Sequence, residues 1–176
     1  MNFKRKLIVL IAVLAMGHGA ANAQSPAELN DLEIAHVAYV ADNIDIRYAH
    51  LALAISKNEA VREFANTMIR DHQAVNEQAL ALLKKLKARP QDNFLSKQLQ
   101  ANADGLVDEM SKLRGAAFDK RYAANELAYH KAVNDLVENT FIPNIDNAQV
   151  KALFEAGLKI FKVHEQHAVM MVKKLK

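Results

Sequence analysis

The chain has 176 residues, 51% of them hydrophobic, with 5 Gly, 3 Pro and no Cys. That length suits one domain with a sizeable core, and the missing Cys excludes both disulfides and thiolate metal sites. The formal charge is +3, but Lys4, Arg5 and Lys6 supply all of it, and without them 20 bases face 20 acids, so a nucleic-acid partner has no electrostatic basis.

Residues 1–23 read as a secretory signal peptide. Lys4, Arg5 and Lys6 form a basic start, Leu7 to Met16 an apolar run, and Ala21-Asn22-Ala23 an A-x-A site with cleavage expected after Ala23. The apolar run is too short to span a bilayer, and no spanning run follows. The expectation is a periplasmic mature chain of residues 24–176 forming one bundle.

Ser25-Pro26-Ala27-Glu28 is a capping box with Pro at the first helical position. It predicts a first long helix from there to about Ser56, with a stripe of Val37, Ala41, Ile44, Tyr48, Leu51 and Ile55. A second helix is predicted from Glu59 to about Lys87, ended by the segment Ala88 to Asn93 with its Pro90. Phe94 to Leu113 is a shorter helical pattern, closed by Gly115. A third long helix runs from about Ala116 to Thr140, where Pro143 stops it. Asp146-Asn147-Ala148-Gln149 resembles another cap and opens a fourth long helix to the C-terminus.

The fold class is therefore all-α. The segment from Phe94 to Leu113 rises about 30 Å at 1.5 Å per residue, enough to carry the chain back along the bundle. A ferritin-like four-helix bundle has such a crossover, between its second and third long helices. An up-down bundle with a kinked third helix is the alternative.

Polar residues interrupt the apolar stripes. The second helix carries Val61, Phe64, Ala65, Met68, Val75, Ala79, Leu83 and Leu86 on one face, and His72 and Asn76 fall on that face too. Burying an unpaired polar group costs roughly 2–7 kcal/mol, so partners must come from other helices. His130 and His164 sit on the inward stripes of the third and fourth long helices. Counting along the helices from the turn near Lys57 predicts a polar layer of Asp45, His72, Glu126 and His130. His164 is expected with Tyr122 in a second layer, about two turns away.

Three inward His with Asp45 and Glu126 offer the N and O donors that suit Zn, Fe or Mn. A standard di-iron centre would need a Glu-x-x-His on each of two helices. This chain has one, Glu33 with His36, away from the predicted layer. His164, His167 and Met171 form a further N and S candidate for copper. The competing reading is a structural polar network that fixes helix register.

The segments FANTMIRDHQAVN (Phe64 to Asn76), FDKRYAANELAYHKAV (Phe118 to Val133) and HEQHA (His164 to Ala168), with the leader and Pro143, resemble a bacterial exported family. It is catalogued as domain of unknown function 4142, and its members are labelled outer-membrane or periplasmic proteins. The resemblance implies a ferritin-like helical fold and an exported location. It implies no settled activity. Its recurring positions map onto Asp71, His72, Asn76, Phe118, Asp119, Tyr122, His130 and His164. The second motif of the family often has Asp before its His, where this chain has Tyr129.

Two functional readings follow. One is a non-enzymatic binding or envelope-maintenance protein with an inward His/carboxylate network that includes Asp71, Asn76, Asp119 and Tyr122. The alternative is a metal-binding protein with Asp45, His72, Glu126, His130 and His164 as ligands of a divalent ion (Fe, Zn, Mn or Cu), acting in storage or oxidation. No nucleophile motif marks a catalytic residue. Peripheral outer-membrane association and a homo-oligomer stay open.

Overall fold

A computed structural model describes residues 24–176. The expected leader, residues 1–23, lies outside the described residues. Those described are all-helical, with no strand. Five helices carry the fold: α1 (Asp31–Ile55), α2 (Glu59–Lys85), α3 (Phe94–Ser111), α4 (Gly115–Leu136) and α5 (Ala148–Lys174). None is long and apolar enough to cross a membrane.

The first capping box does not start α1. Glu28 Oε2 accepts the Ser25 N–H at 2.6 Å, but this closes only a single 3-10 turn, Pro26–Glu28. The chain then extends so that Leu29 sinks into the core. A second box starts the helix: Asn30 Oδ1 accepts from the N–H groups of Leu32 and Glu33, and Glu33 accepts the Asn30 N–H. Two boxes stand in tandem, and the one that leaves Leu29 buried sets the helix start.

α2 ends before Pro90 is reached. Lys87 adopts a left-handed φ of 54°. The Lys87 N–H reaches Lys84 O at 3.1 Å and the Ala88 N–H reaches Leu83 O at 2.9 Å. That pair of bonds is a Schellman motif with Lys where Gly is usual. Asn93 then caps α3 and donates its amide to Glu33 O at 3.0 Å, tying the start of α3 to the start of α1.

α4 does not stop short of Pro143. It continues through a π turn at Val137–Phe141 and a last turn at Ile142–Asn144. Pro removes an N–H and crowds the preceding turn, and a π turn is one way a helix absorbs that. The helix is thus about four residues longer than its sequence predicts. Asn147 caps α5, and both oxygens of Asp31 accept backbone N–H groups from Asp146 and Asn147.

These contacts set the run of the chain. The start of α1 meets the start of α3 and the α4–α5 junction at one end of the bundle. At the other end, Ser56 Oγ donates to Asp119 Oδ1, joining the α1–α2 turn to the start of α4. α2 and α4 therefore run in the same direction, and α3 carries the chain back alongside α1. The core falls into two apolar clusters. One centres on Tyr48, Phe64, Met68, Phe118 and Met171, the other on Ile34, Val37, Phe141, Val150 and Phe154. The polar residues sit between them.

Candidate metal centre

His72 of α2, His130 of α4 and His164 of α5 meet inside the bundle, with ring centroids 5.3 to 5.9 Å apart. All three are buried, and the Asp45 and Glu126 side chains beside them are wholly so. The ligating atoms of the three rings lie within 4.8 Å of one another, as do those of Asp45, Glu126 and His130. The predicted layer of Asp45, His72, Glu126 and His130 is thus brought together.

His164 belongs to this same layer and does not form a second one with Tyr122. The physical reason is the length of α4. Through the π turn it runs to Asn144, so His130 lies about fourteen residues from its end. His164 lies about sixteen residues from the start of α5, which leaves a height difference of roughly 3 Å.

Each ring is held from outside. The His72 Nδ1–H donates to Asp42 Oδ1 at 2.7 Å, and the His130 Nδ1–H donates to the Glu126 backbone carbonyl at 3.0 Å. The His164 Nε2–H donates to Asp71 Oδ2 at 3.0 Å, and Asp71 is itself tied to Arg70. The opposite nitrogens of His130 and His164, Nε2 and Nδ1, make no hydrogen bond. His72 Nε2 pairs with Asp45 Oδ2 at 2.8 Å, and His130 Nε2 lies 3.2 Å from the same oxygen. Glu126 lies against Asp45, with the Tyr122 hydroxyl on its other side. The Phe161 ring stacks on His72 at 4.9 Å and 11°.

Charge is distributed unevenly over these groups. Burial opposes a proton on His72, but Asp45 and Asp42 outweigh it and lift the ring to about 10. Burial likewise opposes the Asp45 anion, and His72 and His130 overcome it, holding Asp45 at about 2. Burial drives His130 down, and drives His164 down to about 4 despite Asp71. Glu126 is pushed well above the usual carboxyl range by burial and by the Asp45 charge next to it. At neutral pH the inner part of the cluster therefore holds a proton on His72 and favours one on Glu126.

The residues expected in a supporting network fall in different places. Asp71 orients His164, and Tyr122 lies next to Glu126. Asn76 is buried one turn from His72 without a bond to its side-chain oxygen. Asp119 is not near the rings and instead locks Ser56 at the bundle end. Glu33 serves the α1 cap and His36 faces Asp92, so the lone Glu-x-x-His plays no part. His167 is exposed while Met171 is core, which separates the copper candidate.

Sequence reasoning missed Asp42, which orients His72. Its signal was present: Asp42 and Asp45 are three residues apart and so share a helix face. Tyr129, which stands where Asp was expected, sends its hydroxyl to Ala41 O at 2.9 Å and pins α4 beside Asp42. Burial and acidic neighbours raise its hydroxyl well above the usual range.

A family model described as Domain of unknown function (DUF4142) matches residues 16–171. The chain belongs to this family. No curated protein and no solved structure matches it. This DUF4142 protein thus carries buried His, Asp and Glu groups that could hold a metal ion.

Proposed function

We propose that this protein binds one divalent transition-metal ion through His72, His130, His164 and Asp45, with Glu126 as a further oxygen donor. One observation carries the reading. Each ring gives its outer N–H to a protein acceptor; the inner nitrogens of His130 and His164 stay out of any hydrogen bond, and His72 Nε2 faces Asp45 as an ion pair. Metal-ligating imidazoles are held in this way, because the outer bond fixes tautomer and orientation. A purely structural network would use the His130 and His164 nitrogens in hydrogen bonds, since each buried group left unpaired costs about 1–3 kcal/mol.

Nitrogen and oxygen donors without sulfur suit Zn, Fe or Mn. The donors come from four helices and enclose the ion, which favours holding it over presenting an open position to a substrate. The parallel run of α2 and α4 with the α3 return supports a ferritin-like bundle around it. The leader of residues 1–23 supports a periplasmic location.

The test is metal analysis of untagged protein isolated from the periplasm, with thermal shift on adding Fe, Mn, Zn or Cu. One ion per chain is expected. It is lost in His72→Ala and His130→Ala with helicity retained, and affinity falls about 10- to 100-fold in Asp42→Asn. Sub-stoichiometric metal with no thermal shift refutes the proposal.

A further inference from the structure

Next to the rings lies an apolar cavity of about 150 Å³ to which all five helices contribute. Its wall is almost wholly carbon, from side chains such as Leu99, Val133, Phe141 and Phe154, with Gly157 adding space. Phe161 forms part of the wall and stacks on His72, so one ring separates cavity and cluster. A dry apolar cavity of this size holds a benzene-sized molecule.

Two polar side chains break the carbon surface. Asp42 has one oxygen engaged by His72. Asn76 is 7% exposed, lines the cavity, and its Oδ1 has no partner. A buried amide facing an apolar space is costly unless something in that space bonds to it. The Tyr129 hydroxyl, also on the wall, is already committed to Ala41 O.

We infer that the cavity is a binding site for a small phenol, with its ring among Phe141, Phe154 and Phe161 and its hydroxyl on the Asn76 amide. A hydroxyl both donates and accepts, so it satisfies an amide whichever way that amide is turned. The phenylalanine rings favour an aromatic occupant through edge and offset contacts. Half-buried Val75 and Ala79 and exposed Ala132 also line it, so the cavity is not sealed from the surface. The site needs no metal, so its fate is separate from that of the centre proposed above.

The experiment uses chelator-treated protein with phenol and toluene as probes, by isothermal titration and by NMR contacts from ligand protons to Val133 and Phe154. Phenol is expected to saturate one site and to bind on the order of tenfold more tightly than toluene, the worth of one hydrogen bond to a buried group. Asn76→Leu should erase that preference. Ala79→Phe and Gly157→Leu fill the space from different helices, and whichever melts cooperatively should no longer bind phenol. The NMR contacts locate the ligand without any variant. Absence of saturation, toluene binding as tightly as phenol, contacts elsewhere, or unchanged binding in a folded filled variant each overturns the inference.

Discussion

Metal loading at neutral pH should expel two protons per ion. The count comes from the cluster itself. His72, lifted to about 10 by Asp45 and Asp42 against burial, is protonated at pH 7, and burial with the Asp45 charge biases Glu126 toward its neutral form. His130 and His164, both lowered by burial, are neutral, and Asp45 at about 2 is ionised. A cation that takes His72 Nε2 and a Glu126 oxygen must displace both protons. Apparent affinity should then rise by at least about tenfold per pH unit from pH 7 toward 9, where His72 is still protonated in the metal-free protein. Titrating Zn into metal-free protein in buffers of different ionisation enthalpy gives the count directly. Glu126→Gln should reduce it to one. Release of less than one proton, or affinity that does not change with pH, would refute the assignment of charge in the cluster.

Two further outcomes concern the metal-free protein. The His72 proton stabilises the fold fully below 6.5, and that contribution is lost as pH rises through about 10. His164, depressed to about 4, contributes stability above 6.5 that is lost as pH falls toward 4. Below 6.5 the raised Glu126 opposes the His164 slope, so denaturant midpoints should change little there and fall as pH rises from 6.5 toward 10, whereas a midpoint that climbs steadily to pH 9 would exclude the His72 ion pair. Separately, a Cβ added at Gly157 meets Phe161 at 3.5 Å, an ordinary contact. Gly157→Ala should stabilise the protein by about 0.5–1 kcal/mol through helix propensity. A loss of stability in urea titration would show that the space at this position is needed.

The sequence showed most of what local chemistry controls. Apolar spacing placed α2 and α3 within two residues of their observed ends, although Gly115, expected to close α3, opens α4. The inward positions of His72, His130 and His164 followed from the stripes they interrupt. Features that depend on tertiary competition were harder to read. The Ser25 box is locally sound, yet burying Leu29 requires an extended residue that ends the turn. The π turn before Pro143 has no pattern of its own, and the extension of α4 through it to Asn144 brings His164 into the layer of the other rings. Asp42 was overlooked because an acid on an apolar face looks like an error until a ring from another helix is seen to need it.

The four donors proposed for the ion, Asp45, His72, His130 and His164, come from four different helices. The acids that steer His72 and His164 also reach across from a neighbouring helix. An unravelled chain, or any single segment of it, has no pre-assembled chelate to offer. Nearly all the free energy of capturing the ion would then act as a tether on the native topology, and its removal would be felt first as a loosening between helices rather than within them.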